Sequence, residues 1–115
     1  MRTNKSFAAG RMPAGVMNKT ETLYAQHLEE LKQQGIVQYY KFEGLTFKLA
    51  QRTTYTPDFV VMMADNQIEL HEVKGFWQGT ARVKIKVAAE MFPFKFIAIK
   101  AKAKKDGGGW AIEEF

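Results

Sequence analysis

Apolar residues recur every three or four positions in one early segment of the chain. Between residues 18 and 35 the residues at this spacing are Leu23, Tyr24, His27, Leu28 and Leu31. A period of this length places them on one face of a helix. Asn18 or Thr20 can cap the start of that helix, and Gly35 can end it. We therefore predict a first amphipathic helix between these points.

Strand-like patterns follow the helix. Three runs are rich in Val, Tyr, Phe and Thr and alternate in part between apolar and polar residues: 36–49, 55–63 and 67–74. Such composition and alternation are typical of half-buried strands. We predict three consecutive strands.

The second half of the chain holds one ambiguous segment. In residues 81–91, Val83, Ile85 and Val87 alternate like a strand, but Val83, Val87 and Met91 also repeat every four residues. The two alanines at 88–89 and the break at Pro93 favour a helix. Residues 94–100 alternate as a strand, and residues 110–115 can add an edge strand after three glycines. The sequence thus predicts an α/β fold, with a mixed β-sheet of four to five strands flanked by two helices.

Length and composition indicate a single domain. The chain has 115 residues, 46% of them hydrophobic and 25% charged, which is ordinary for a globular protein with one core. Residues 1–17 lack a helical or strand period and contain only basic charges. We interpret them as a flexible basic N-terminal arm, followed by one folded domain at 18–115.

Composition also limits the chemistry. The absence of cysteine excludes disulfides, thiolate zinc sites and cysteine nucleophiles, so a metal would need oxygen ligands or the two histidines. No apolar run is long enough to cross a bilayer and no secretory signal is visible, so we expect a cytoplasmic protein without a membrane partner. The net charge of +5 suggests a polyanionic partner such as DNA, although it can also serve solubility alone.

One constellation of residues suggests catalysis. Glu72 and Lys74 lie two apart on the third predicted strand, so both side chains leave from the face that carries Leu70. Asp58 lies on the preceding strand, across a turn. A two-residue turn would direct Asp58 away from Glu72. A three-residue loop at 64–66, with Asn66 in the left-handed region, or an equivalent bulge, would place the two carboxylates opposite each other. We predict this odd-length loop.

Two carboxylates held together favour a bound cation, and oxygen ligands favour Mg²⁺, or Mn²⁺ as its substitute, over zinc. Such a metal can polarise a phosphate and activate water. Lys74 can then orient that water or stabilise developing negative charge. The backbone carbonyl of Val73 is a further candidate ligand.

A third carboxylate lies on the first predicted helix. Glu21 shares a face with Tyr24 and Leu28, so it should point toward the sheet and can reach the metal. The alternative is that Glu21 is only a favourable negative charge in the first turn of a helix.

These residues resemble a known family. Residues 55–59 (Tyr-Thr-Pro-Asp-Phe) and 69–75 (Glu-Leu-His-Glu-Val-Lys-Gly) resemble the PD-(D/E)XK nuclease superfamily. With residues 18–25 (Asn-Lys-Thr-Glu-Thr-Leu-Tyr-Ala), the chain is similar to the small phage and prophage endonucleases of that group. The resemblance implies a restriction-endonuclease-like core and Mg²⁺-dependent hydrolysis of DNA. It implies Asp58 and Glu72 as metal ligands, Lys74 as the catalytic lysine and Glu21 as a helical acid of the site.

The same resemblance bears on substrate and partners. Related families include archaeal-type Holliday junction resolvases, so we expect branched or junction DNA as substrate and a phage- or prophage-encoded protein in a bacterial host. Cutting both strands of a symmetric junction needs two active sites, which implies a homodimer. The alternative is a catalytically silent DNA-binding module that keeps the nuclease fold.

Weaker signals concern DNA contacts. Six basic residues are candidates for gripping phosphates: Lys5, Arg11, Lys19, Arg82, Lys84 and Lys86. The alternative for the last three is an ordinary solvated helix face. Phe76 and Trp77 can stack on an unpaired base or pack into the core. His71 alternates away from Glu72, and we expect it and His27 to be structural.

Overall fold

The structure, a computed structural model, describes residues 15–77 and 79–115, so Lys5, Arg11 and most of the predicted arm lie outside the described residues. It is an α/β fold with a mixed five-stranded sheet and two helices. The elements in chain order are α1 (Lys19–Gln33), β1 (Val37–Phe42), β2 (Phe47–Ala50), β3 (Thr53–Tyr55), β4 (Phe59–Met63), β5 (Ile68–Val73), α2 (Ala81–Met91), β6 (Lys95–Ala101) and β7 (Trp110–Glu114). A 3-10 turn, Lys104–Asp106, precedes β7.

The strand order in the main sheet is β1-β4-β5-β6-β7. Strands β5 and β6 pair in parallel, with α2 in the connection between them, and the other neighbours are antiparallel. A parallel pair needs a crossover of this kind, because its strands start at the same end of the sheet. Strands β2 and β3 form a separate antiparallel hairpin.

The predicted strand at 36–49 is wrong in its extent, because the chain turns at Glu43 and Gly44 and forms two strands there. Glu43 has a φ of 51°, and a Cβ on Gly44 would lie 2.6 Å from Cγ1 of Val60. The chain therefore leaves the sheet where only glycine fits. The predicted strand at 55–63 is also divided, since Tyr55 ends β3 and β4 begins only after Pro57, which has no N–H for a ladder.

The sheet has an apolar core on each face. One core packs α1 against the sheet through Tyr24, Leu28, Phe59, Val73 and Ile99. The other core packs α2 and the β2–β3 hairpin against the opposite face, and it contains Phe47, Tyr55, Leu70, Ile85, Ala88 and Phe96. Side chains of β4, β5 and β6 alternate between the two cores, as the period of a strand requires.

Both helices begin and end close to the predicted points. Asn18 caps α1 in a capping box with Glu21, and Gly35 follows its end with a φ of 81°. Segment 81–91 is the helix α2, with Ile85 and Ala88 buried and Val83 58% exposed. The exposed Val83 explains why the apolar pattern also resembled a strand. Neither helix in the described part of the chain combines the length and the apolarity needed to cross a membrane.

Candidate active site

The β4–β5 hairpin brings Asp58 and Glu72 together. Phe59 pairs with His71 and Val60 with Leu70, so the register continued by one residue places Asp58 across from Glu72. Residues 64–66 form the loop between the strands: the Met63 N–H donates to the Gln67 carbonyl at 2.8 Å, and Asn66 has a φ of 70°. The predicted odd-length loop with a left-handed Asn66 is therefore confirmed.

Backbone contacts fix Asp58 at the start of β4. Its Oδ2 accepts a hydrogen bond of 2.8 Å from the Val73 N–H of β5. Its carbonyl accepts the N–H of Glu43, so the turn after β1 holds the other side of this residue. In the hydrogen bonds found among residues 15–77 and 79–115, Oδ1 of Asp58 receives no donor. That oxygen is the part of the carboxylate left for a ligand.

Contacts with neighbouring side chains hold the Glu72 carboxylate in place. Glu72 is only 6% exposed, and both of its oxygens have partners. Tyr55 donates its hydroxyl to Oε1 at 2.8 Å, and Nζ of Lys74 lies 3.1 Å from Oε2. Tyr55 is a residue of the site that sequence reasoning missed. The only signal was its place three residues before Asp58, and the separate β2–β3 hairpin that carries it was not foreseen.

Burial disfavours the charged forms of both acids, and the negative charge of Glu72 adds to this effect at Asp58. Burial, followed by the negative charge of Glu72, raises the pKa of Asp58 to about 8. Burial also raises the pKa of Glu72, although Lys74 and Tyr55 oppose that effect. For the same reasons, burial first and Glu72 second, the pKa of Tyr55 lies above its usual value. A cation placed between the carboxylates would relieve this unfavourable electrostatic arrangement.

The donor set at this position fits a hard divalent cation. Lys74 donates its N–H to the Ile99 carbonyl of β6 at 2.8 Å. The intervening peptide is trans and planar, so the Val73 carbonyl points the opposite way, toward the side where the Val73 N–H meets Asp58. Asp58, Glu72 and this carbonyl supply oxygens only, as Mg²⁺ and Mn²⁺ prefer. Within residues 15–77 and 79–115, however, no group of three acidic or histidine side chains is close enough together to hold a metal.

Glu21 does not join the pair as a third carboxylate. Its Oε1 accepts the Asn18 N–H at 2.9 Å, and its own N–H donates to the Asn18 side chain at 2.8 Å. The carboxylate thus completes the capping box of α1. The negative charge of Glu21 nevertheless contributes to raising the pKa of Asp58.

The described basic candidates differ in their surroundings. Arg82 binds Glu113 through both terminal nitrogens, at 3.0 and 2.5 Å, and lies over the rings of Trp77 and Phe115. Lys84 donates to the Thr54 carbonyl at 3.0 Å and so ties α2 to β3. Lys19 and Lys86 are exposed. The predicted DNA contacts of Arg82 and Lys84 would therefore have to coexist with structural contacts.

Both histidines lie away from the carboxylate pair. His71 is buried on the α1 face of β5, where Nδ1 is 2.7 Å from the Tyr24 hydroxyl and Nε2 is 2.9 Å from Glu69. His27 packs beside Tyr24 and Trp110. The prediction that His71 turns away from Glu72 is confirmed.

Comparison of the chain with models of known protein families, with curated proteins and with solved structures gives no match.

Proposed function

We propose that the protein is a Mg²⁺-dependent endonuclease that hydrolyses phosphodiester bonds in DNA. The observation that carries the proposal is a pair of facing carboxylates, of which Asp58 is partly buried and Glu72 is buried. The Lys74 ammonium lies 3.1 Å from Glu72. Burying like charges is costly unless a cation or a reaction uses them. The proposal includes a restriction-endonuclease-like core for the mixed sheet.

Each residue would have a distinct part in hydrolysis. Asp58 and Glu72, with the Val73 carbonyl, would hold Mg²⁺, which supplies Lewis-acid activation of the phosphate and of water. The Lys74 ammonium would stabilise negative charge on the phosphate oxygens as the bond to the leaving group breaks. Tyr55 would orient Glu72 through its hydroxyl, as a positioning residue.

The net charge of +5 supports a polyanionic substrate. Within the proposal, the substrate is branched or junction DNA, and two copies of the chain would act together on a symmetric junction. Exposed Lys19 and Lys86 are the best placed of the described candidates for phosphate contacts, because neither is committed to the fold in the way that Lys84 is.

The test is cleavage of linear, nicked, flapped and four-way DNA with Mg²⁺ or Mn²⁺. We expect cleavage to fall by a factor of about 100 or more in Asp58→Asn, Glu72→Gln and Lys74→Met, the scale seen when one stabilising group is removed from an active site. The matched controls are Glu90→Gln and Lys48→Met, which change the same charges at exposed positions. Wild-type binding without any cleavage would favour the silent DNA-binding module, and full activity in the three site variants would refute the assignment.

A further inference from the structure

A second feature lies beside the carboxylate pair on the same face of the sheet. The register across the strands places Glu72 of β5 next to Ala98 of β6, and Ala98 next to Glu113 of β7. Neighbouring strands are about 4.8 Å apart. A cavity of about 270 Å³ opens at Ala98, one strand from Glu72, and Lys74 lines it. The cavity is therefore within the reach of one nucleotide from the proposed scissile phosphate.

The size and lining of this cavity suit a flat ring. Its volume is just below the roughly 300–1,000 Å³ of sites that enclose drug-sized ligands. The small side chains of Ala98 and Ala111 leave the space, and Phe76 and Trp77 supply aromatic surface. Phe76 is 69% exposed, so its apolar surface is accessible to a ligand in the cavity.

Trp77 is held in position without any ligand. The Trp77 and Phe115 rings pack edge to face, with centroids 5.9 Å apart and planes at 81°. The Arg82 guanidinium lies 5.4 Å from the Trp77 ring centroid, and Nζ of Lys74 lies 5.9 Å from it. The proposed catalytic ammonium and the aromatic ring therefore form one continuous surface, and little ordering is needed before a ring can stack there.

The charges around the cavity favour an anionic polymer. Lys74 and Lys100 both line it, whereas the one acid in the lining, Glu113, is neutralised by the bidentate contact with Arg82. An apolar cavity with aromatic surface and flanking ammonium groups matches the base and phosphates of a nucleotide. A hydrophobic peptide would offer no anion to the Lys100 ammonium, whereas Lys74 is already paired with Glu72.

We propose that this cavity binds one unpaired nucleobase of the DNA, next to the phosphate held at Asp58 and Glu72. The inference rests on the proposed function for the identity of the polymer. A base in an intact duplex must leave its stack to enter a cavity, at a cost that is smallest for a base that is already unpaired. The cavity thus gives a physical reason for selecting flapped or branched DNA over linear duplex.

The first test measures binding through the fluorescence of Trp77. In a Trp110→Phe background Trp77 is the only tryptophan, and Ca²⁺ replaces Mg²⁺ so that binding is observed without cleavage. The probes are a thymidine oligonucleotide, an abasic oligonucleotide with the same number of phosphates and a blunt hairpin duplex. We expect the thymidine strand to quench Trp77 and to bind about 10 to 100 times more tightly than the abasic strand. Equal affinities, with no quenching, would overturn the proposal.

The second test fills the cavity. Ala111 lies at an exposed position on the edge strand β7, so Ala111→Leu should fold while its side chain occupies the space. We expect Ala111→Leu and Trp77→Ala to remove the preference for the thymidine strand over the abasic strand, and Trp77→Phe to keep most of it. Tyr39→Ala, which removes an exposed aromatic ring from β1, is the matched control. The affinities in the Ala111→Leu and Trp77→Ala variants are measured by anisotropy of labelled DNA.

The outcomes separate this inference from the proposed function. Cleavage of DNA together with an unchanged base preference in Ala111→Leu would overturn the cavity and leave the nuclease standing. Base-dependent binding that Ala111→Leu abolishes, without cleavage of any DNA, would support the cavity and refute the nuclease.

Discussion

Asp58 and Glu72 face each other across the hairpin, but they are stabilised in different ways. Both oxygens of Glu72 contact side chains, Tyr55 and Lys74, whereas Asp58 has one hydrogen bond from the Val73 N–H. The pKa of Asp58 is raised to about 8, so this carboxyl is largely protonated at neutral pH without a cation. If Mg²⁺ binds here as proposed, it must displace this proton, so metal binding would be coupled to proton release at Asp58.

The raised pKa of Asp58 predicts how the stability of the protein depends on pH. The folded-state pKa of about 8 lies above the ordinary value of 3.8, so between these values the folded state holds a proton that the unfolded state has lost. The free energy of unfolding therefore falls as pH rises through this window. Asp58→Asn lacks the titrating group, so in EDTA its melting temperature should exceed that of the wild type by several degrees at pH 8.5, since about 1 kcal/mol corresponds to roughly 4–8 °C in a small domain.

The control for this prediction is the same comparison near pH 4, where the difference should shrink because the wild-type carboxyl is protonated in the folded state. Mg²⁺ should then raise the melting temperature of the wild type at pH 8.5 and leave that of Asp58→Asn unchanged. A variant less stable than the wild type at pH 8.5 would show that Asp58 is a structural hydrogen-bonding residue and not a strained ligand.

Tyr55→Phe tests the positioning of Glu72. The change removes the hydroxyl that donates to Glu72 Oε1 at 2.8 Å and keeps the ring packed in the core. We expect the Mg²⁺ concentration for half-maximal cleavage to rise about 10- to 100-fold, the usual effect of losing a residue that orients a metal ligand. Tyr40→Phe, which removes a hydroxyl bound to Glu29 on α1, should leave that concentration unchanged. Equal effects in both variants would point to general destabilisation.

At the scale of elements, Glu21 at the N-terminus of α1 has two candidate roles, as a helix cap and as a metal ligand, which substitutions can distinguish. Glutamine can still complete the capping box, since its side-chain oxygen accepts the Asn18 N–H. Glu21→Gln should therefore keep the stability of the protein, whereas Asn18→Ala should cost about 1 kcal/mol. We expect Glu21→Gln to change the cleavage rate by less than about tenfold, since the carboxylate caps the helix. A loss as large as that of Asp58→Asn, measured in the same assay, would make Glu21 a metal ligand.

The elements also show what the sequence alone could predict. The register of the β4–β5 hairpin followed from facing requirements and from Asn66, which tolerates the left-handed region. The division of segment 36–49 did not follow, because the approach of Gly44 to Val60 is a tertiary contact between distant segments. Tyr55 was missed for the same reason. Its hydroxyl reaches Glu72 only because the β2–β3 hairpin folds over the α2 face of the sheet.

At the scale of the whole molecule, the charge of the chain is unevenly distributed. Residues 74–105 contain nine basic residues and one acid, Glu90. These residues follow the carboxylate pair in the chain and include α2, which covers the face of the sheet that carries Glu72. Binding to DNA should then depend on salt, because each phosphate contact releases condensed counterions.

Substitutions of two lysines on α2 distinguish an effect on DNA affinity from an effect on protein stability. Lys86 is exposed, whereas Lys84 donates to the Thr54 carbonyl and ties α2 to β3. Lys86→Ala should lower the slope of log affinity against log salt by about 1, without affecting the melting temperature. Lys84→Ala should instead cost about 1 kcal/mol of stability, the typical net contribution of one intramolecular hydrogen bond. The slopes are measured with a labelled duplex in Ca²⁺ from 50 to 200 mM salt, and an unchanged slope in Lys86→Ala would remove α2 from the proposed DNA-binding surface.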